Sequence, residues 1–172
     1  MGVMEDLQVP AVGQSVVAMD KNEFEKFGEQ PHCGKAEVEI KTGLTLFALY
    51  AGIYENGAPT NGIVNINQPW DVKVGFGLKG PLRELICGKW CITAHFESIG
   101  NAPEFDVDVE PHIHFDCHNE YWCVRIPGPR LDTAHCGRPY KIAVTVAYKS
   151  MCGKPAGIIG YVELPMTEFY RA

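Results

Sequence analysis

The chain lacks clustered lysines and arginines, long apolar runs and the short motifs of common enzyme sites. With a net charge of -6 and no basic patch it repels polyanions, so nucleic acid is not an expected partner. The longest nearly apolar run, residues 44–53, has about ten residues, whereas a membrane-spanning helix needs ~20. We therefore expect neither a nucleic-acid-binding protein nor a membrane protein.

Catalytic signatures are also missing. The sequence contains no Gly-x-Ser-x-Gly elbow, no phosphate-cradling glycine loop and no His-Glu-x-x-His, which are the local patterns of hydrolases, nucleotide-binding proteins and zinc proteases. A cysteine nucleophile meets its histidine only in the folded chain, and no such pair stands out in the sequence. The sequence therefore favours a protein that is not an enzyme.

Export signals are not recognisable either. The first residues lack the basic and apolar regions of a signal peptide, and no Asn-x-Ser/Thr glycosylation site occurs. We expect a cytoplasmic protein, with export by another route, as a disulfide-bonded adhesin, as the alternative. Its 172 residues, 46% hydrophobic and 21% charged, have the proportions of one folded globular domain.

Residues 1–31 are predicted to form an extended arm followed by one short helix. The arm mixes Val, Pro, Gly and Gln without a regular period. Asp20 followed by Glu23 resembles a helix capping box. Phe24 and Phe27, three residues apart, would give this helix its apolar stripe.

Residues 32–172 are predicted to form a single all-β domain, an antiparallel β-sandwich. Gly, Pro and Asn separate segments in which apolar and polar residues alternate, which is typical of strands with one face in a core. The predicted core faces are Trp70, Val72, Val74, Phe76 and Leu78; Ile86, Trp90, Ile92, Ala94 and Phe96; Trp122, Val124 and Ile126; and Tyr140, Ile142, Val144, Val146 and Tyr148. A hairpin is predicted to join residues 104–118 to the strand that contains Trp122.

One stretch points to a particular kind of sandwich. The Pro/Gly-rich corner Pro127-Gly128-Pro129 leads to Gly137-Arg138-Pro139-Tyr140, after which apolar residues alternate. It resembles the late strands of immunoglobulin-like and fibronectin type III domains, in which a Tyr opens a strand after such a corner. The resemblance covers about a quarter of the chain and implies the fold, not an activity.

A row of ionisable residues is the best candidate for chemistry. Every second residue from Glu104 to His118 is ionisable, and a strand would place them on one face. The row consists of Glu104, Asp106, Asp108, Glu110, His112, His114, Asp116 and His118. The other interpretations are a charged edge strand, which discourages aggregation, and loose cation binding at Asp106, Asp108 and Glu110.

Two histidines of that row could hold a divalent transition metal. His112 and His114, at i and i+2 on a strand, would lie about 6 to 7 Å apart, a separation that one ion can bridge. His118 or Glu120 could supply a third ligand. The stretch His112-Ile113-His114 followed by Glu120 distantly resembles the first cupin motif, which implies a metal-binding β-barrel protein or enzyme.

Four of the seven cysteines begin the same pattern of Cys, Gly and a basic residue. They are Cys33, Cys87, Cys136 and Cys152. A glycine gives backbone amides access to a thiolate and a basic residue lowers the thiol pKa, so the pattern suits redox or metal chemistry. Disulfides and unmodified free thiols are the alternatives, and an odd number cannot all pair within one chain.

Residues 44–53 are apolar at both strand parities, so something must cover both faces of a strand there. One interpretation is a central strand covered by the arm or the helix, and the other is a subunit interface. The predicted interface residues are Leu44, Leu46, Phe47, Leu49, Tyr50 and Ile53, with Phe169 and Tyr170 from the C-terminal tail. The sequence thus predicts a cysteine-rich, non-enzymatic sandwich that binds a protein partner or self-assembles as a homo-oligomer, with the metal-binding protein as the alternative.

Overall fold

The computed structural model describes residues 16–40, 45–80, 87–114, 120–149 and 155–172. Side chains are described for 16–36, 48–80, 88–114, 120–149 and 160–172. Within these ranges the chain forms twelve strands, one α-helix and one 3-10 turn.

The elements follow one another in this order: β1 Val16–Met19, α1 Lys21–Gly28, β2 Gly34–Ile40, β3 Thr45–Glu55, β4 Ala58–Pro59, β5 Ile63–Asn65, β6 Trp70–Lys79, β7 Cys87–Ser98, β8 Phe105–Val109, β9 His112–His114, β10 Tyr121–Pro127, the 3-10 turn Thr133–His135, β11 Pro139–Lys149 and β12 Pro155–Tyr170. The predicted all-β class is confirmed. None of the helices in the described ranges has the length and apolar character to cross a membrane.

The strands form two sheets. Sheet A has the order β1-β10-β6-β3-β2, with β4 paired to β3. Sheet B has the order β5-β12-β11-β7-β8, with β9 paired to β7 beyond the end of β8. The pairs are antiparallel except that of β5 with β12, which is parallel.

The two sheets face each other across one core. Phe76 of sheet A lies 5.0 Å from Trp90 of sheet B between ring centroids, and Trp70 lies 5.1 Å from Phe169. Most of the predicted inward residues of β6, β7, β10 and β11 are buried here, which confirms those predictions, although Trp122 is only partly buried against the core. Ile86 lies outside the described residues. This arrangement is compatible with the predicted sandwich.

The predicted helix forms and covers the outer face of sheet A. An Oδ of Asp20 accepts a hydrogen bond from the backbone N–H of Glu23 at 2.7 Å, which caps the first turn. Phe24 and Phe27 are buried, and both stack on Tyr50 of β3. In the part of residues 44–53 whose side chains are described, the interpretation as a strand covered by the helix therefore holds.

The predicted hairpin after the ionisable row is wrong. β8 and β9 pair with β7 in sheet B, whereas β10 pairs with β1 and β6 in sheet A. The chain therefore crosses from one sheet to the other between His114 and Tyr121. Alternation specifies which face of a strand is buried but does not specify its neighbour, which is why the sequence pattern misled here.

The last strand is longer than the sequence indicates. β12 runs from Pro155 to Tyr170, so the predicted C-terminal tail with Phe169 and Tyr170 is part of this strand. A register shift of its pairing with β11, between Tyr140 and Ile142, lets the strand continue past Pro165. The side chain of Phe169 thereby enters the core.

Candidate functional site

The ionisable row lies on the outer face of sheet B at its edge. β8 and β9 follow one another along β7, and Pro111 between them accepts a hydrogen bond from the N–H of Trp90 at 2.9 Å. Asp106, Asp108, His112 and His114 are all exposed, while Val107 and Ile113 are buried. From Glu104 to His114 the predicted alternation is therefore present, in two strands rather than one, and Asp116 lies outside the described residues.

Partners within the sheet occupy several of these groups. Nδ1 of His95 lies 3.0 Å from a carboxylate oxygen of Asp106, and its Nε2 lies 3.3 Å from the hydroxyl of Thr145. The thiol of Cys91 donates to Glu110 at 3.0 Å, and Lys149 donates to the same carboxylate at 3.2 Å. These cross-strand contacts tie the ionisable row to its own sheet.

The predicted metal ligands lie in different places. His112 and His114 are exposed on β9, opposite Lys89 and Cys87 of β7. Glu120 immediately precedes β10, which belongs to sheet A. His118 lies outside the described residues. In the part of the chain that is described, no three His, Cys, Asp or Glu side chains are grouped to hold a metal ion.

The described thiols are free. Cys33, Cys91, Cys123 and Cys136 are partly buried and unbridged. Burial raises the pKa of the Cys33 and Cys123 thiols to about 11, so both are protonated near neutral pH. Burial and the hydrogen bond to Glu110 also raise the pKa of Cys91. The side chain of Cys87 and the whole of Cys152 lie outside the described parts, so their predicted redox or disulfide role stays a prediction.

The predicted interface residues divide between core and surface. Leu49, Ile53 and Phe169 are buried inside the chain, Tyr50 is half-buried under the helix, and Tyr170 is 42% exposed. Leu44 and the side chains of Leu46 and Phe47 lie outside the description. Their proposed role in an interface stays a prediction.

Tyr170 has apolar neighbours that the sequence did not single out. In the parallel pair of β5 with β12, Ile63 lies beside Glu168, and Met166 and Tyr170 flank Glu168 on the same strand. Ile63 is 55% exposed and Met166 57%. These three exposed apolar side chains, which we call the apolar surface, surround the charged Glu168 at the β5 end of sheet B.

The backbone of β5 is nevertheless protected. The N–H of Ile63 donates to the side chain of Asn61 at 3.3 Å, and that of Asn65 donates to Glu55 at 2.8 Å. The carbonyl of Asn65 accepts from Gln68 at 3.1 Å. With these groups occupied, β5 has little capacity to accept a further strand.

Two other sheet edges are also protected against pairing with a further strand. The β8 and β9 edge carries exposed charges and the proline at position 111, both of which disfavour strand pairing. β2 lies against β12 so closely that a Cβ on Gly34 would collide with the carbonyl oxygen of Glu163. The sequence of β2 is also charged at every second position from Lys35 to Glu39.

The fourth edge, β1, has no such protection among the described residues. Its sequence is Val16-Val17-Ala18-Met19, without a charge, a proline or a glycine. One side pairs with β10, and no described residue hydrogen-bonds to the other side. Val17 is 59% exposed. An uncharged edge with free backbone groups is a template for another strand.

β1 belongs to the segment that the sequence predicted as an arm. The signal was a short apolar run immediately before the helix cap Asp20, too short to be recognised as a strand. Neither a protein-family model nor a curated protein matches this chain.

Proposed function

We propose that this protein is a non-enzymatic immunoglobulin-like or fibronectin-like β-sandwich that self-assembles, with β1 of one copy pairing antiparallel with β1 of a second copy. The observation that carries the proposal is the uncharged outer edge of β1, which no described residue pairs with and on which Val17 is exposed. We take the strand that pairs with this edge to be β1 of a second copy, because a short strand without charges is complementary to itself in antiparallel pairing.

Strand order supports the immunoglobulin-like part of the proposal. In such domains strands A, B, E and D form one sheet and C, F and G the other. β3, β6 and β10 take the order of A, B and E in sheet A, and β7, β11 and β12 take the order of C, F and G in sheet B. β1 then occupies the edge place of strand D.

Two buried aromatic residues also fit that comparison. Trp90 is fully buried in β7, where immunoglobulin domains carry a core Trp on strand C. Tyr140 is fully buried near the start of β11, after the proline-rich corner. Its hydroxyl donates to the carbonyl of Pro103 at 2.8 Å rather than to the corner itself. The two buried aromatic residues therefore support the comparison, whereas this hydrogen bond departs from it.

Binding through β1 would rest on backbone hydrogen bonds and on the burial of Val17. Each net hydrogen bond contributes about 0.5–1.5 kcal/mol, and burial of a valine side chain about 1.5–3 kcal/mol. Because both copies contribute the same groups, each of these free-energy contributions occurs twice in the dimer. The entropic cost of association opposes them.

Sedimentation velocity over about a hundredfold range of protein concentration tests the proposal. Wild-type protein should shift from monomer to dimer with concentration. Val17→Lys introduces the charge that natural edge strands use and should weaken the dimer by about tenfold or more. Ile99→Lys is the matched control, because Ile99 is also exposed but lies in the turn after β7.

A wild-type protein that stays monomeric at every concentration would refute self-assembly. A dimer that Val17→Lys leaves intact would refute the β1 interface. If Met166→Lys dissociated that dimer instead, the apolar surface of Ile63, Met166 and Tyr170 would be the contact.

The metal-binding protein remains the alternative proposal. It would use His112 and His114 with His118 or Glu120, and a divalent transition metal as its cofactor. What supports it is the exposure of two histidines on one face of β9. Native mass spectrometry with one equivalent of Zn²⁺ tests it, since a bound ion should be lost in the His112→Ala, His114→Ala double variant.

A further inference from the structure

A cavity of about 400 Å³ lies beyond the ends of β5 and β12, beside the loop that leads to β11. It is lined by Ile66, Asn67, Arg130, Leu131, Asp132 and Arg171. Small-molecule sites have volumes of roughly 300–1,000 Å³. The cavity is therefore large enough for a metabolite-sized ligand.

Two of its six lining residues are arginines that have no ion-pair partner among the described residues. Among the described residues, neither Arg130 nor Arg171 forms an ion pair or a hydrogen bond through its guanidinium group. Both are exposed to solvent. In a chain of net charge -6, two unpaired guanidiniums on one cavity form a local cationic site.

The one carboxylate in the lining is engaged elsewhere. An Oδ of Asp132 accepts from the N–H of Ala134 at 2.9 Å and lies 2.9 Å from Nδ1 of His135. These contacts hold the pKa of Asp132 below its ordinary value, so it is ionised at neutral pH. That oxygen is engaged in its own 3-10 turn, and neither Arg130 nor Arg171 forms an ion pair with Asp132.

Hydrogen bonds hold the walls of the cavity in place. The N–H of Ile66 donates to the carbonyl of Tyr170 at 2.9 Å, and the side-chain amide of Asn67 donates to the carbonyl of Ala172 at 2.9 Å. Arg171 is thereby fixed from both sides through its backbone. On the opposite wall, the buried side chain of Leu131 anchors the loop next to Arg130.

We propose that this cavity binds a small molecule through a carboxylate or phosphate group. Guanidinium groups donate two parallel hydrogen bonds to such oxyanions, which gives both affinity and orientation. Ile66 and Leu131 offer apolar contacts to the rest of the ligand. The site is separate from the β1 edge and does not depend on self-assembly.

Isothermal titration calorimetry with two probes, inorganic phosphate and succinate, tests the site at low salt. We expect saturable binding of one equivalent of at least one probe. Tighter binding of phosphate indicates a phosphorylated ligand, and tighter binding of succinate a carboxylate ligand. Arg130→Gln and Arg171→Gln should each weaken binding about tenfold or more.

Two further variants separate a specific site from general attraction. Arg138→Gln removes an exposed arginine that is not part of the lining, and should leave the affinity unchanged. Arg171→Lys keeps the charge but loses the planar fork, and should weaken binding less than Arg171→Gln. Because these side chains are exposed, folding should persist, which circular dichroism checks.

The proposal would be overturned if neither phosphate nor succinate showed saturable binding. Equal weakening by Arg130→Gln and Arg138→Gln would also overturn it, because it would show attraction to net charge alone. In either case the β1 assembly would be unaffected.

Discussion

Nε of Arg125 on β10 donates a hydrogen bond to the carboxylate of Asp71 on the neighbouring strand β6. Both side chains lie on the face of sheet A that points away from the core. Asp71 is buried, whereas Arg125 is about half exposed. The second carboxylate oxygen of Asp71 is buried without a hydrogen-bond partner among the described atoms. This carboxylate therefore depends on a single arginine.

Removal of that arginine should destabilise the protein more than a surface substitution does. Arg125→Met leaves a buried carboxylate unpaired, and we expect the free energy of unfolding to fall by about 1–3 kcal/mol in urea titrations. Asp71→Asn with Arg125→Met should recover part of that loss, because no buried charge then lacks a partner. A double variant no more stable than Arg125→Met would contradict this account.

The cap of α1 should contribute measurably to stability. Asp20→Ala removes the acceptor for the N–H of Glu23 and should lower the free energy of unfolding by about 0.5–2 kcal/mol, whereas Asp20→Asn should retain most of it. Denaturant unfolding of both variants checks this. Equal losses in Ala and Asn would mean that charge, not the hydrogen bond, matters.

The protein should lose stability in alkaline solution. The pKa of the Cys33 and Cys123 thiols is raised from 9.0 to about 11 by burial. Above pH 9 the unfolded chain releases these protons while the folded chain retains them, so the free energy of unfolding falls as pH rises from 9 to 11. Tyr54 acts in the same direction, because burial raises its pKa too.

Thiol substitution isolates the cysteine part of that pH dependence. Between pH 9 and 11, the free energy of unfolding of a Cys33→Ala, Cys123→Ala variant should decline less steeply than that of the wild type. Iodoacetamide modification followed by mass spectrometry gives an independent measurement, in which both thiols should react more slowly at pH 8 than in the urea-unfolded chain. Equal slopes in wild type and variant would show that other groups dominate.

The exposed histidines of β9 should matter little to folding. His112→Ala and His114→Ala should each change the free energy of unfolding by less than about 0.5 kcal/mol, because both side chains lie in solvent. Thermal unfolding without and with one equivalent of Zn²⁺ measures this. A melting temperature that Zn²⁺ raises in the wild type but not in the variants would favour the metal-binding alternative.

Local patterns in the sequence were enough for part of the fold. Period-two alternation identified the buried faces of β6 and β11, and Asp20 with two phenylalanines identified the helix. Both depend on residues close together in the chain. Alternation could not show that β10 joins the other sheet, because pairing partners are chosen by packing across the whole core.

The candidate sites depended on longer-range contacts and were harder to predict. The apolar run at residues 44–53 indicated a surface in need of cover, but only the fold shows that Phe24 and Phe27 supply cover at Tyr50. Arg130 and Arg171 come together because β12 ends beside the loop before β11. No local spacing in the sequence could indicate that proximity.

The protection of the other edges determines how far assembly through β1 can proceed. Antiparallel pairing of β1 with its copy is isologous, so the outer edge of β1 is buried in both protomers and neither can pair again through it. The described backbone groups of β5 already have partners in Asn61, Glu55 and Gln68, and cannot continue a chain of contacts. A closed pair with a limiting mass should therefore result, rather than a growing fibre.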